Sequence, residues 1–581
     1  MARRQITIQT CGGAGDGSVA TGALIARAAV KLGYSVLVYD TFPAEIRGFG
    51  KTISEVRVSV EEVTARADAV DVLIGLNNVF AIEQIKTLAE DAVIIYDSLP
   101  GITVKESESV PHFAGNYMSP YGVPLEHTAQ RVTGRKLGKN VVAVGFLAKL
   151  LGLPKEPFHQ VLKELFLRKG EKVLSQNIAL FDEGYAYEEV EYRLIELEKA
   201  PPPGEERVII SGNDAMTRAA VNASLAVFAG YPITPASKLM ENLAKELPRY
   251  GGIVVQTEDE IAAIGAVTGA WFAGKRAMTA TSGPGLSLMS EIINLGVMTE
   301  TPLVIVNAMR GGPSTGLPTK VEQADLNIAL WGGHGDSPRV VLAPTNIAES
   351  YAVLQDAFDV AEKYQTPVIV LTDKFIAMSH TSVPASILEE KRGSTRLEYT
   401  GPPEAYRRFA ITETGVSPWV VPGTPGISYT TSGLEHDETG APGYDVPNHV
   451  AMTEKRFRKF RAMLGDLPAP VFEGPEDGKN LVVSWGSSFG AVEEGVKRLW
   501  NDGYSIRLCK MTTIFPQHED VMRGAFERAE KVIVVEQNRF GQLAKFLKGY
   551  YGISADEVHL PGGEPPSPGE VTEAVKERLL V

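Results

Sequence analysis

The fold of this chain is best predicted from a short apolar segment that leads through acidic residues into a helix of small residues. The segment is GGIVVQTEDE (Gly251 to Glu260), and the text after it reads IAAIGAVTGAWFAGK. A brief apolar run bounded by glycine and acidic residues predicts a buried parallel strand at Val254 and Val255. Glu260 then lies where a strand ends and a helix begins, which is where open α/β sheets bind ligands.

Glu260 also fits a purely structural role. TEDE (Thr257 to Glu260) matches the capping box, in which a threonine and a glutamate three residues later satisfy the free N–H groups of a helix. Taken alone, this motif favours capping, because it is common at helix starts. The neighbouring motifs favour a role in binding and catalysis.

Four motifs stand in order around Glu260. They are YPITP (Tyr231 to Pro235), E-x-x-A-x-G-A (Glu260 to Ala266), TSGPG (Thr281 to Gly285) and AMRGGPSTGLPTK (Ala308 to Lys320). Together they resemble the alpha subunit of 2-oxoacid:ferredoxin oxidoreductases, most closely the 2-oxoglutarate type. The resemblance covers nearly the whole chain. It implies a reaction of a 2-oxo acid, coenzyme A and oxidised ferredoxin that gives an acyl-CoA, CO₂ and reduced ferredoxin, possible in both directions.

The resemblance implies thiamine diphosphate as the cofactor, with its aminopyrimidine ring held by this subunit. Glu260 is then the catalytic carboxyl that hydrogen-bonds N1′ of the ring, a position that favours a carboxylic acid shielded from water. The cofactor itself supplies the carbanion chemistry. The other residues expected at the cofactor are Tyr231, Pro232, Ile233, Gly283 and Gly285.

The resemblance also assigns residues to the substrate. Thr234, in a loop stiffened by two prolines, is expected to contact the 2-oxo acid group, with an ordinary turn threonine as the alternative. Arg310 opens a glycine-rich loop after an apolar strand, and its planar fork matches a carboxylate. An isolated arginine more often forms a surface ion pair. Ser314, Thr315 and Lys320 on the same loop are expected to help with a distal carboxylate.

The chain begins with a strand and the glycine-rich turn CGGAGDGSVATG (Cys11 to Gly22). Such a turn either presents N–H groups to a phosphate or only reverses the chain, and both interpretations stay open. The resemblance implies a fused gamma-type domain that helps to form the coenzyme A region. Its candidate residues are Gly12, Gly13, Gly15 and Arg47, although RGFG stands here where many relatives have RGG.

Gly15 to Gly17 (GDG) looks like the start of the diphosphate-binding motif of thiamine enzymes. That motif ends in a downstream asparagine, and TFPAEIRGFG (Thr41 to Gly50) contains none. Gly335-Asp336-Ser337 is equally misleading. No metal site is therefore predicted in this chain, and a beta subunit is expected to carry the diphosphate motif with Mg²⁺.

Composition excludes several classes of protein. With only two cysteines, Cys11 and Cys509, this chain alone cannot hold a [4Fe–4S] cluster, which is expected in the beta subunit of an α2β2 assembly that reduces ferredoxin. A net charge of −14 argues against binding nucleic acid. No apolar run is long enough to span a bilayer, and the first residues lack the core of a signal peptide, so a cytoplasmic location without membrane contact is expected.

A chain of 581 residues requires several domains, and the fold class expected is α/β. The predicted domains are a gamma-type domain (1–198), a pyrimidine-binding domain (205–385), a proline-rich connector (386–477) and a domain that resembles the carboxy-terminal domain of transketolase (478–581). His436, between acidic residues of the connector, is predicted to lie in a solvated loop and not to bind a metal.

Three alternatives to this function are distinguishable. A complete thiamine decarboxylase on one chain conflicts with the missing diphosphate motif. A non-catalytic coenzyme A-binding or nucleotide-binding protein leaves Thr234, Glu260 and Arg310 unexplained. Within the family, pyruvate or another 2-oxo acid is the alternative substrate.

Overall fold

The structure is a computed structural model that describes residues 2–42, 50–98, 119–202 and 204–580. It confirms the predicted α/β class with several sheets. The chain forms two compact units, of which the first comprises Met1–Ile210 with Ser379–Ala385 and the second Ser211–Met378 with Ser386–Val581. The predicted division into four domains stays a prediction. Across the described ranges, no helix combines the length and apolar character needed to cross a membrane.

The first unit is built on a sheet of eight strands. Its elements in chain order are β1 (Gln5–Gly13), α1 (Ser18–Lys31), β2 (Ser35–Thr41), β3 (Lys51–Ser59), β4 (Val70–Gly75), α2 (Asn78–Ile82), β5 (Leu88–Asp97), β6 (Ser119–Val123), α3 (Leu125–Thr133), α4 (Lys139–Leu150), α5 (Glu156–Phe166), α6 (Glu171–Ala186) and β7 (Arg207–Ser211). The strand order is β6-β5-β4-β1-β3-β2, followed by a late strand, β14 (His380–Pro384), and then β7. Strands β1, β4, β5 and β6 run parallel, whereas β3 is antiparallel to both β1 and β2.

Helices α4 and α6 pack closely in this unit because a glycine on each faces the backbone of the other. A Cβ on Gly145 would lie 2.1 Å from the carbonyl oxygen of Phe181, and one on Gly184 would lie 2.0 Å from that of Val142. Phe146 and Phe181 are fully buried beside this contact. The pair of glycines therefore sets the distance between the two helices.

The second unit contains two further sheets. Its elements are α7 (Gly212–Asn222), β8 (Val227–Gly230), α8 (Ser237–Glu246), β9 (Ile253–Gln256), α9 (Glu260–Phe272), β10 (Ala277–Thr281), α10 (Gly283–Met298), β11 (Leu303–Met309), α11 (Leu326–Trp331), β12 (Val340–Leu342), α12 (Ile347–Tyr364), β13 (Pro367–Asp373), α13 (Lys374–Met378), α14 (Val446–Ala462), β15 (Val471–Glu473), β16 (Asn480–Trp485), α15 (Phe489–Asn501), β17 (Ile506–Met511), β18 (Thr513–Phe515), α16 (Glu519–Arg528), β19 (Lys531–Glu536), α17 (Gln542–Tyr551), β20 (Asp556–His559) and α18 (Pro568–Leu580). The sheets have the orders β18-β12-β13-β11-β10-β8-β9 and β15-β17-β16-β19-β20.

The larger of these sheets places the motifs on one edge. Strands β8, β9, β10, β11, β12 and β13 are parallel, so the segments after them leave the sheet on the same side. YPITP follows β8, Glu260 follows β9, TSGPG ends β10 and Arg310 follows β11. This is the edge at which parallel sheets bind ligands.

The predicted burial of the strand before Glu260 is wrong. Strand β9 is the outermost strand of its sheet, and Ile253 and Val255 are 55% and 39% exposed. An apolar run predicts that a strand is covered but does not reveal which molecule covers it. The result is an open apolar edge on the described chain.

The prediction for His436 is also wrong, because this side chain is buried and not solvated. It is 1% exposed, and its ring centroid lies 3.9 Å from that of Phe409. The part of the chain that the structure describes contains no group of three or more His, Cys, Asp or Glu side chains suited to a metal.

The connector contains an element that the sequence did not predict, the 17-residue helix α14. Lys455 on this helix donates to the Glu300 carboxylate at 2.5 and 2.7 Å, and Lys459 pairs with the same group. Arg408 donates to the Glu300 carbonyl at 2.8 Å. Although burial alone would raise the pKa of Glu300, these three cations hold it below its usual range. This buried cluster links the connector to the segment between α10 and β11 of the second unit.

Candidate functional site

Glu260 is the first residue of α9, yet it does not cap the helix. The cap is Asp259, whose carboxylate accepts a hydrogen bond of 2.7 Å from the Ala262 N–H. Thr257 donates to the Asp259 carbonyl, so the capping box suggested by the sequence does not form. Glu260 is only 6% exposed, and its carboxyl forms no hydrogen bond with the described residues. A largely buried acidic residue whose carboxyl has no protein partner indicates a binding site.

The first turn of α10 is shaped around this carboxyl. A Cβ on Gly285 would lie 2.5 Å from Cγ and 2.7 Å from Oε1 of Glu260, and 2.0 Å from the Thr281 hydroxyl. A Cβ on Gly283 would lie 2.6 Å from Oδ1 of Asp325. The two predicted glycines therefore make room for two carboxyl groups at the start of one helix.

Asp325 was not predicted from the sequence. It directly precedes α11, and its Oδ2 accepts a hydrogen bond of 2.9 Å from the amide of Asn307 on β11. The residue is half-buried, but its carboxyl is surrounded by protein, and this burial raises the pKa of Asp325. Its position after an apolar strand and a glycine-rich loop was the only signal in the sequence, and that signal does not specify a partner.

Arg310 is a buried residue, so the alternative of a surface ion pair does not apply. It is 7% exposed, and its Nη1 donates to the Thr234 carbonyl at 2.7 Å. Burial lowers the pKa of Arg310, and the charge of Asp325 opposes this effect. Within the described residues its Nε has no partner, nor do the buried Oδ1 of Asn307 and Oγ of Ser282.

The structure thus brings Glu260, Thr234 and Arg310 to one edge of the sheet, but it places the other candidates differently. Tyr231 and Pro232 are exposed and Ile233 is half-buried in the segment after β8. Ser314 and Thr315 are exposed on the glycine-rich loop, and Lys320 forms an ion pair with Glu564. Lys320 is therefore already engaged within the chain.

In the first unit, the glycine-rich turn is closed by the side chain of one of its residues, Asp16. Gly12 and Gly13 belong to β1, and the Gly13 N–H donates to the Asp16 carboxylate at 2.7 Å. Lys139 pairs with Asp16 at 2.8 Å. Gly15 alone among the candidates faces open space, with a φ of 95°. The fourth candidate, Arg47, lies outside the described residues, so the coenzyme A assignment stays a prediction.

The unpartnered polar atoms of Arg310, Asn307 and Ser282, with the carboxyl of Glu260, provide donors and acceptors for a bound group. Residues 218–455 match the family model of the pyruvate flavodoxin/ferredoxin oxidoreductase thiamine diphosphate-binding domain. Residues 7–187 match the model described as pyruvate ferredoxin/flavodoxin oxidoreductase. Fold and site together define an α/β oxidoreductase chain with a thiamine diphosphate-binding domain.

Whole-chain similarity narrows this class. A protein of Aeropyrum pernix named 2-oxoacid:ferredoxin oxidoreductase 2, subunit alpha, is 31% identical over 97% of this chain and 96% of its own length. A Mycobacterium tuberculosis protein named 2-oxoglutarate oxidoreductase subunit KorA is 32% identical over 95% of this chain and 88% of its own. This chain belongs to the family of 2-oxoacid:ferredoxin oxidoreductase alpha subunits, as its motifs predicted.

A solved structure is similar over the full length. It is the 2-oxoglutarate:ferredoxin oxidoreductase of Magnetococcus marinus with 2-oxoglutarate, coenzyme A and succinyl-CoA bound. The TM-score is 0.93 at 36% identity, over 99% of this chain and 100% of that one. The likeness thus includes both compact units of the present chain.

Proposed function

We propose that this chain is the alpha subunit of a 2-oxoglutarate:ferredoxin oxidoreductase. The complete enzyme converts 2-oxoglutarate, coenzyme A and oxidised ferredoxin into succinyl-CoA, CO₂ and reduced ferredoxin. The observation that carries the proposal is Glu260, a residue only 6% exposed that does not cap its helix and whose carboxyl has no hydrogen bond with the described residues. The relatives named for 2-oxoglutarate support the choice of substrate.

Thiamine diphosphate, when bound, supplies the electron sink for loss of CO₂. Glu260 would hold a proton toward N1′ of its pyrimidine ring, and Gly283 and Gly285 leave room at the start of α10 for the carboxyl groups of Asp325 and Glu260. Arg310, itself only 7% exposed, binds a carboxylate of the substrate. Because decarboxylation removes the charge of the first carboxylate, Arg310 serves best at the distal carboxylate, whose charge persists.

A beta subunit completes the enzyme. It carries the diphosphate motif with Mg²⁺ and the [4Fe–4S] cluster, and two copies of each subunit assemble as α2β2 with ferredoxin as electron acceptor. Support comes from the surface around the site, where Ile253, Val255 and Ile261 are exposed. Ile261 lies on α9. On this helix, a Cβ added to Gly265 or Gly269 would have no neighbouring atom within 4 Å. An apolar face of this kind marks a surface that a partner covers.

The test is reconstitution with thiamine diphosphate and Mg²⁺. The purified chain alone should not turn over 2-oxo acids, whereas the complex isolated from the native organism should reduce ferredoxin with 2-oxoglutarate and coenzyme A. Turnover by the lone chain would contradict the division into subunits. A complex that prefers pyruvate to 2-oxoglutarate would contradict the assigned substrate but not the family.

A further inference from the structure

The loop after Arg310 has a second side, which faces the carboxy-terminal part of the chain. We call residues 310–325 the substrate loop. It begins at Arg310 and ends at Asp325, so both of these site residues depend on its path. The proposed function uses only the face toward the cofactor. The contacts on the opposite face show what holds the loop in place.

Gln323 forms the centre of these contacts. It is 0% exposed, and its Nε2 donates to the Trp485 carbonyl at 2.7 Å. Its backbone N–H donates to the Gln537 carbonyl at 2.8 Å, while its Oε1 accepts from the Gln537 N–H at 2.7 Å. Gln537 is also 0% exposed. The two residues thus satisfy each other's backbone groups between β19 and the loop.

The neighbouring contacts confirm that this arrangement is tightly fitted. A Cβ on Gly486 would lie 2.7 Å from Nε2 of Gln323, so a larger residue would displace the amide. Val321 and Gly563 exchange backbone hydrogen bonds of 3.4 and 2.8 Å. Lys320 adds its ion pair with Glu564.

A third glutamine holds the end of the loop. Gln542, the first residue of α17, donates to the Ala324 carbonyl at 2.7 Å and accepts from the Asn327 N–H at 2.7 Å. These contacts bracket Asp325 on both sides. Because buried amide groups are costly to leave unpaired, the hydrogen bonds of the three glutamines fix the backbone in one position without adding charge to the site, although Oε1 of Gln537 has no partner among the described residues.

We propose that Gln323, Gln537 and Gln542 are positioning residues that set the substrate preference through the substrate loop. This proposal rests on the proposed function. Their contacts are with the backbone of the loop around Asp325, which leads back to Arg310. A loop that is rigid before binding recognises a second carboxylate at a defined distance. A small displacement of the loop therefore weakens the binding of a dicarboxylate more than the binding of a substrate without the second carboxylate.

The test compares Gln323→Met with Gln355→Met in the complete complex. Gln355 is an equally buried glutamine whose Nε2 donates to the Glu390 carbonyl at 2.9 Å, and none of its hydrogen bonds involves the substrate loop. Both variants should lower thermal stability. Only Gln323→Met should raise KM for 2-oxoglutarate, by at least about tenfold. KM for 2-oxobutyrate and kcat with either substrate should change less.

Gln542→Met serves where Gln323→Met does not fold, because Gln542 lies at the start of a helix and methionine is a good helix former. It should shift preference in the same direction. The proposal is overturned if folded variants keep the ratio of kcat/KM between the two substrates, or if Gln355→Met changes that ratio equally. A wild-type complex without turnover of any 2-oxo acid would instead reject the proposed function.

Discussion

At the scale of single residues, Asp259 and Glu260 are neighbours with separate tasks. Glu260→Gln should leave stability nearly unchanged, because the carboxyl makes no hydrogen bond that the structure describes. Turnover by the complex should fall by at least about a hundredfold, since glutamine does not transfer a proton to N1′. Melting temperature and ferredoxin reduction, measured on the same preparation, separate the two effects.

Asp259→Ala is the matched control for this experiment. It removes the cap contact with Ala262 and should cost about 1 kcal/mol of stability with little loss of turnover in the folded complex. If Glu260→Gln retained full turnover, or if it lowered stability as much as Asp259→Ala, Glu260 would be a structural residue.

Arg310 offers a test of the substrate. Arg310→Met should raise KM for 2-oxoglutarate and narrow its advantage over 2-oxobutyrate, with a loss of about 2–5 kcal/mol for a charge pair shielded from water. The residue is 7% exposed, so solvent cannot replace it easily. Steady-state kinetics with both substrates measure the effect. Equal losses would mean that Arg310 mainly supports the Thr234 carbonyl, to which it donates.

The sequence predicted that residues of contiguous motifs share one edge of the sheet, but not the contacts between distant segments at that edge. Glu260, Gly285 and Arg310 follow strands, so their common edge follows from parallel pairing. Asp325 and Asn307 were missed because their pairing is 18 residues apart and has no local pattern. The role of Glu260 was ambiguous for a physical reason: TEDE allows either Thr257 or Asp259 to cap the helix.

At the scale of elements, helix α14 gives the connector a measurable dependence on pH. Arg456 donates to both carboxylate oxygens of Glu435, at 3.0 and 2.8 Å, and the His449 ring lies 2.6 Å away. Burial opposes ionisation, but these partners lower the pKa of Glu435 from 4.5 to about 2. Since the folded state lowers the pKa, the stabilisation is complete above pH 4.5 and is lost as pH falls toward 2.

Glu435→Gln should therefore lower the melting temperature at neutral pH, with a loss of up to about 3 kcal/mol. The difference from wild type should shrink as pH falls from 4.5 to 2. Thermal unfolding at a series of pH values measures this. The exposed Glu454 on α14 provides the control, because Glu454→Gln should change neither the melting temperature at neutral pH nor its dependence on pH. A constant difference across this range would show that Glu435 acts by packing alone.

Element prediction succeeded where apolar periodicity and glycine agreed and failed where polar side chains were buried in pairs. The apolar runs NLVVSW, IRLCKM and KVIVVE form the strands β16, β17 and β19. The helix α14 was missed because its mean composition is polar, although Lys455, Arg456 and Lys459 are buried. Their partners, Glu300 and Glu435, lie far away in sequence, so only the folded chain explains this burial.

At the scale of the whole molecule, the sequence could not predict which molecule covers the apolar face formed by β9 and α9. The strand β9 was predicted to be buried, yet Ile253 and Val255 are exposed, and Gly265 and Gly269 on α9 have open surroundings on the described chain. If a partner subunit covers β9 and α9, their apolar pattern correctly predicted burial, but burial in the assembly. The prediction failed for the single chain because burial in an assembly and burial in a fold leave the same apolar pattern.

This explanation leads to the last prediction, for Gly265→Leu. A Cβ on Gly265 meets no atom within 4 Å, and glycine within a helix costs up to about 1 kcal/mol, so leucine should stabilise the lone chain. The same leucine would intrude into a surface that packs closely against a partner. It should therefore abolish co-purification with the beta subunit while the melting temperature of the lone chain rises. Gly549→Leu provides the comparison, since Gly549 is an exposed helical glycine on α17 with equally open surroundings. Stabilisation of both variants with assembly lost only for Gly265→Leu would place the partner on α9, whereas assembly retained by both would leave this apolar face unexplained.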